Sequence, residues 1–438
     1  MRPCLLAAAA SLLALGSCGR GDRGKTGARE PGAGVGPARP ASIRPAAPPA
    51  QAGRVSWGPV AISSTDRRAD GISTALGVGQ AAAVWIEDAS PGADVRFVSL
   101  GEEGAGEAVD VTAGASAFPP TAVEWSGREF ALAWGDDRFR HIEVFVARVA
   151  WNGKTVMSPR RFTRTIVSGK DEAGVPAADS SQEPALAYYA GQLIMAWGGP
   201  GEGGRQQVYF TTISPSGTPG FDPLPLTSGP ADAFGIRLES FEKGALISYC
   251  VMGSGSSDIY GLALAGSPPE PVQPLRLAAS AYIPCSVDQV VGEGGSVALW
   301  VERREDPGGG IEDRLSGQAL AASGEFEGGG FEIPGARIVK FPGKHHVPFD
   351  AIDIGGGRMA VAWIERGTDG GSSLRVGVFE RAAPIGASFT VPSQADPTDP
   401  HLVPSGGAGG AGGHVIVWLD RPLGSAISRV FAAGLEFD

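Results

Sequence analysis

The chain is 438 residues long, 42% hydrophobic and 19% charged, with 67 Gly and 35 Pro; turns must be plentiful, and the apolar runs are too short for a membrane-spanning bundle. A formal net charge of −11 excludes the basic face of a nucleic-acid binder. Five His and four Cys exclude a Cys-rich zinc module and a dense disulfide scaffold.

At the N-terminus, Met1-Arg2-Pro3 precedes eleven residues (5–15) dominated by Leu and Ala, then Gly16-Ser17-Cys18. A basic start, a short apolar run and small residues make a secretory signal. As a helix the run would rise roughly 17 Å, too little for a hydrocarbon layer of about 30 Å. Leu15-Gly16-Ser17-Cys18 resembles a bacterial lipobox. The resemblance implies that residues 1–17 are a removed signal peptide and that Cys18 carries the lipid as the new N-terminus. Gly19 stands where such lipoproteins place Asp for inner-membrane retention, which points to the outer membrane of a Gram-negative cell. Residues 18–54 are mostly Gly, Pro, Ala and Arg and cannot bury enough apolar surface to offset ordering entropy. They read as a disordered tether.

Beyond the tether a short apolar segment ending in an aromatic recurs: Ala82-Ala83-Val84-Trp85, Ala131-Leu132-Ala133-Trp134, Ile194-Met195-Ala196-Trp197, Leu246-Ile247-Ser248-Tyr249, Val297-Ala298-Leu299-Trp300, Ala360-Val361-Ala362-Trp363 and Val415-Ile416-Val417-Trp418. The intervals are 49, 63, 52, 51, 63 and 55 residues. A second apolar segment precedes each aromatic, often opened by Pro (Pro120, Pro184, Pro284, Pro348) and in two copies by Gly71-Ile72 or Gly235-Ile236. A polar turn and a third apolar segment follow, as at 95–98, 142–146, 208–211, 259–262, 374–378 and 428–431, and then a fourth, as at 222–227 and 273–277. Four short strands repeated at this period describe an all-β, seven-bladed β-propeller of four antiparallel strands per blade, spanning 55–438 as one monomeric domain. The last copy lacks a fourth strand, while residues 57–63 form a strand without a blade, so the N-terminal strand is expected to complete the last blade and hide its edge. The recurrent aromatic is expected to pack between blades, its N–H bonded to a carbonyl.

Two residues after the aromatic comes an acid, at Glu87, Asp136, Glu302, Glu365 and Asp420, with Arg138, Arg303, Arg304, Arg366 and Arg421 close behind. Trp134-Gly135-Asp136-Asp137-Arg138, followed by 142–148, resembles the repeats of sialidase-like propellers. The resemblance implies the fold rather than the activity. No Asp-box turn is present, and the family's arginine triad and Tyr–Glu pair map onto no positions. The acids are expected to bond within the hairpin turn and to pair with the neighbouring Arg.

The same face of the ring would collect the lead-in to each first strand, with Asp70, Glu183, Asp232, Tyr282, His345, His346 and His401. Stretches 166–183, 303–314 and 338–346 enlarge it, and insertions on one face of a repeat protein often build the binding surface. The candidate binding face is therefore Glu87, Asp136, Arg138, Glu183, Tyr282, Glu302, Arg304, His345, His346, Glu365, Arg366, His401, Asp420 and Arg421. No metal is expected: the adjacent His345 and His346 point oppositely on a strand, and all three His read as solvated loop residues. Cys250 and Cys285 fall in adjacent blades and are expected to form a disulfide in an oxidising envelope, with two buried thiols as the alternative. Gly199-Pro200-Gly201-Glu202-Gly203-Gly204 matches a dinucleotide fingerprint but leads into a strand, not a helix. No cofactor or catalytic residue is indicated. The expected function is a lipid-anchored envelope scaffold binding protein or glycan without catalysis; the alternative is a sialidase-like glycoside hydrolase or lyase. Structural Ca²⁺ in the acidic loops is a further reading.

Overall fold

The computed structural model describes residues 50–438 except 90, 165–179, 202–203, 242–243, 253–256, 282–286, 293–294, 306–310, 322–325, 339–347, 368–370, 381–382, 406–412, 423 and 426. Its described residues form seven antiparallel sheets and no helix. Blade 1 holds Ala69–Leu76, Ala81–Ala89 and Gly92–Gly101, its outer position split between Gly104–Ala105 and Val109–Asp110. Blade 2 holds Ala117–Trp125, Phe130–Asp136, Glu143–Val149 and Thr155–Arg161; blade 3 holds Gln182–Tyr189, Gln192–Pro200, Gln206–Ile213 and Leu224–Pro225. Blade 4 holds Ala233–Phe241, Gly244–Met252 and Ser257–Ala265, with Glu270–Pro271 and Leu275–Ala281 sharing the outer position. Blade 5 holds Val287–Gly292, Gly295–Glu305, Ile311–Leu320 and Phe326–Arg337; blade 6 holds Phe349–Gly355, Arg358–Arg366, Ser372–Glu380 and Ala383–Val391. Blade 7 holds Pro397–Pro404, His414–Asp420 and Arg429–Phe437, and its outer strand is Gly53–Ala61, with Gly53 opposite Phe437 and Ala61 opposite Phe431.

Burial follows position within the blade. The second strands are covered on both faces, so Phe130–Asp136 is buried throughout and reads as a continuous apolar run. The outer strand Thr155–Arg161 contains no buried residue. Apolar side chains gather in seven clusters, one between each pair of neighbouring blades. One of them joins Trp85 and Val98 of blade 1 to Val417 and Val430 of blade 7.

The recurrent aromatic packs as its pattern indicates. Trp85, Trp134 and Trp418 are fully buried. In blades 2, 3, 4 and 7 the ring stacks on the aromatic across the ladder: Trp134 on Phe145, Trp197 on Tyr209, Tyr249 on Tyr260 and Trp418 on Phe431, at centroid separations of 5.8–6.2 Å. Arg96 and Arg375 hold that place opposite Trp85 and Trp363. The expected N–H to carbonyl bond fails: Trp85, Trp134 and Trp363 have no acceptor among the described residues, because the carbonyls around them are committed to strand ladders.

Two recurrent devices, one within a blade and one between blades, have no obvious sequence signature. The first is a Thr or Ser just after an outer strand. Thr112, Thr163, Thr227 and Ser63 each accept a hydrogen bond from the third strand, at the N–H of Val95, Val144, Val208 and Val430 respectively, all at 2.9 Å. Three of them donate in turn to the residue before that valine: Asp94, Glu143 and Gln207. The second is a left-handed residue at a bulge in the inner strand: Gly71, Glu183, Gly235 and Asp399, with φ of 52–63°. Glycine suits that conformation. At Glu183, which adopts it at a disadvantage, Oε2 accepts the Gly235 N–H of the next blade at 2.6 Å.

Candidate functional site

The seven inner strands enclose a central channel with a cavity of about 460 Å³. Strand register brings one position of each inner strand to the same level: the residue opposite the one just before the blade's aromatic. In blades 1–3 that residue is Ser73, Ala122 or Ala185. In blades 4–7 it is Arg237, Asp288, Asp350 or His401. Half of the wall is thus small and nearly neutral, and the other half is a charged arc. Glu124, Glu239, Asp353 and Asp399 also line the cavity.

Bonds between neighbouring inner strands hold the arc. Asp288 Oδ2 accepts the Ala351 N–H at 2.9 Å, and Asp350 Oδ2 accepts the Leu402 N–H at 2.5 Å. Burial raises both carboxyls. At Asp288 it outweighs the opposing pull of Arg237 and of backbone N–H groups. At Asp350 it is reinforced by the charge of Asp288 and by a side-chain hydrogen bond with it. Glu239 is exposed toward the cavity; the protein packed around that cavity and then the charge of Asp288 push it up to about 8 against the pull of Arg237. Burial and then Glu239 push Glu124 well above the usual carboxylate range. Four carboxyls of the cavity, Glu124, Glu239, Asp288 and Asp350, are thus all shifted toward the protonated form. His401 Nε2 lies 3.5 Å from Asp399 Oδ1, with its side chain 15% exposed. It is a channel residue on an inner strand, not the solvated loop histidine expected, because the bulge at Asp399 carries the strand past the lead-in before His401.

The recurrent acids are used inside the ring. Glu87 is fully buried and accepts Ser64 N–H at 2.8 Å and Ser64 Oγ–H at 2.9 Å, with Arg96 at 3.3 Å. Asp420, also fully buried, accepts the N–H groups of Gln394, Ala395 and Asp396. Both carboxylates thus tie the lead-in loop of their own blade. Asp136 takes a two-pronged bond from Arg138 at 2.7 and 2.6 Å. Other contacts of these residues run between strands. Glu365 meets Arg375 across the ladder at 3.6 Å, Arg421 pairs with Asp396, Arg303 with Asp313, and Glu302 accepts from Ser316 at 2.8 Å. The strand pairing carries those arginines away from the acid beside them in sequence. Arg366 is exposed. Tyr282, Cys285, His345, His346 and Cys18 lie outside the described residues, as does the Arg304 side chain and most of the three enlarged stretches. No group of His, Cys, Asp and Glu that could hold a metal ion occurs among the described residues.

A second cavity, of about 450 Å³, opens between blades 2 and 3 and is lined by Arg161, Phe162, Arg164, Trp197, Tyr209 and Pro219 among others. Arg161 is held there by Glu143 at 2.6 Å and lies over the Phe139 ring at 4.4 Å.

No protein-family model matches the chain, and no curated protein matches it. Its likeness to solved structures is extensive. The polysaccharide lyase Uly1 is 11% identical, covering 87% of this chain and 92% of that one at a TM-score of 0.54. The NanB sialidase of Streptococcus pneumoniae is 9% identical over 86% of this chain and 70% of that one, at 0.45. The hemagglutinin-neuraminidase ectodomain of parainfluenza virus 5 is 9% identical over 87% and 84%, at 0.47. At such identities the likeness is one of fold, the β-propeller described above.

Proposed function

We propose that the protein is a lipid-anchored lipoprotein of the cell envelope whose propeller is a non-catalytic scaffold for a protein or glycan, bound on the lead-in face. The observation that carries this reading is that the recurrent acids and most nearby arginines are spent on internal bonds: Glu87 and Asp420 on lead-in loops, Asp136 on Arg138. A ring locked in this way is a rigid platform, and its variable loops are left to recognise the partner. The anchor would be the Cys18 lipid, and the tether the residues after it, ending before the strand at Gly53 rather than at 54 as the sequence indicated. Each buried lipid CH₂ contributes about 0.8 kcal/mol, so several acyl chains on one Cys hold firmly. The first strand starts at Gly53, opposite Phe437, at the end of blade 7 away from the lead-in loops, which suits an anchored ring presenting that face outward. A Cys250–Cys285 disulfide belongs to the same reading; the sulfur of fully buried Cys250 is bonded rather than a titrating thiol, which supports it.

The test is a glycan array and an envelope-extract pull-down with residues 19–438. Saturable binding that is weakened by reversing Arg366 and Arg421 to Glu supports the reading. Absence of any ligand, or turnover of a bound glycan, overturns it. The Asp288–Asp350 pair beside Arg237 and His401 favours a second reading, a glycoside hydrolase or lyase working in the channel. Release of reducing or unsaturated ends from a polysaccharide panel, abolished by Asp350→Asn, would establish that reading instead.

A further inference from the structure

The two halves of the channel wall are joined differently. On the blade 1–2 side the links are hydroxyls: Thr121 Oγ1 donates to Gly71 O at 2.7 Å and lies 3.0 Å from Ser73 Oγ. On the side of blades 5–7 the links are carboxyls, from Asp288 to Ala351 N–H and from Asp350 to Leu402 N–H. We propose that this arc is a pH-sensitive clasp, in which shared protons between channel carboxyls keep blades 5–7 drawn together and loss of those protons loosens that part of the ring.

Glu239 and Arg237 share the inner strand of blade 4, and Asp353 shares that of Asp350 in blade 6. Blade 2 presents Glu124, and blade 7 presents Asp399 with His401. Blades 1 and 3 line the cavity with no charged side chain; their acids Asp70 and Glu183 sit at the lead-in. Six carboxyls thus face one guanidinium and one imidazole. If all were ionised, like charges would line one cavity of about 460 Å³ and repel one another. While Asp350 keeps its proton, it donates to Asp288 and still accepts from Leu402, so one proton satisfies both carboxyls and both strands.

The direction of the pH effect follows from proton counting. A carboxyl held at a raised value in the folded ring retains its proton after its unfolded counterpart has ionised, so the folded state binds more protons in that interval and stability falls as pH rises. With Glu239 pushed up to about 8, the fall runs from its ordinary value near 4.5 to about 8 and then levels.

The test is thermal unfolding of the full chain in a buffer series from pH 5 to 9.5, comparing wild type with Glu239→Gln and Asp350→Asn. Asn at 350 can still donate to Asp288 and accept from Leu402. The clasp requires the variant-minus-wild-type difference in Tm to rise with pH, by about 3 °C between pH 5 and 8, and to flatten above that. A difference constant with pH, or one that shrinks, overturns the proposal. If Asp350→Asn does not fold, Glu239→Gln, whose side chain reaches into the channel without a strand-to-strand bond to lose, decides the matter by the same criterion.

Discussion

Blades 1–3 and blades 4–7 have the same strand count and similar inter-blade cores, yet at one level of the channel wall the first group carries Ser73, Ala122 and Ala185 while the second carries Arg237, Asp288, Asp350 and His401. The fold does not require charge there, since three blades do without it. What the charged blades gain is a set of strand-to-strand bonds from carboxyls; what they take on is dependence on protonation. A buried polar group is stabilising only while its partners stay in place, so the charged half is where this ring is both most specifically joined and most sensitive to solution conditions.

That contrast can be broken by substitution. Asp288→Ala should have the largest effect, about 3 kcal/mol in chemical unfolding, because the Ala351 N–H loses its acceptor and the Asp350 proton loses its partner. Gly71→Ala should follow at about 2 kcal/mol: φ there is +62° and an added Cβ would stand 2.6 Å from Pro119 Cβ, a backbone strain in the neutral half that pH does not modulate. Thr121→Val in the same half removes two hydroxyl contacts between neighbouring blades and should lower stability by about 1 kcal/mol, equally at pH 5 and pH 8.

The smallest effect carries the opposite pH sign and sharpens the assignment. Burial lowers His414 to about 4, and its ring lies 4.9 Å from that of Phe437. Between about 4 and its ordinary value near 6.5 the unfolded chain binds the proton that the folded chain refuses, so stability rises with pH across that interval. His414→Leu should remove this acid-side slope, seen as a Tm difference that disappears near pH 7, while leaving the fall toward pH 8 intact.

The blades were legible in the sequence because the second strand of each is covered on both faces and must be apolar along its length, closed by one large ring that fills the space between sheets. The pairing of Gly53–Ala61 with the last third strand was legible from the missing fourth strand. The charged arc was not. Arg237 and Asp288 lie 12 residues before their aromatic, as Ser73, Ala122 and Ala185 do, but Asp350 lies 13 before and His401 17 before, because the chain between the paired strands is longer in blades 6 and 7. The position carries no shared residue type, and strand register is what shows that it lines the channel. The recurrent acids were legible as turn residues, but their partners were not: Arg421 reaches Asp396 and Arg375 reaches Glu365 through the register of consecutive strands rather than through the turn motif. The Thr latches escaped for a related reason, since a Thr after an apolar residue is common and acquires meaning only when the third strand of the same blade lies beside it.

Hydrogen exchange read by mass spectrometry tests the central contrast most directly, with protection corrected for the intrinsic pH dependence of exchange. The inner strands Val287–Gly292, Phe349–Gly355 and Pro397–Pro404 should lose about tenfold in protection between pH 5 and 8, while Ala69–Leu76, Ala117–Trp125 and Gln182–Tyr189 keep theirs. Equal losses in the two sets, or unchanged protection in both, would contradict a ring whose charged half alone is held by shared protons.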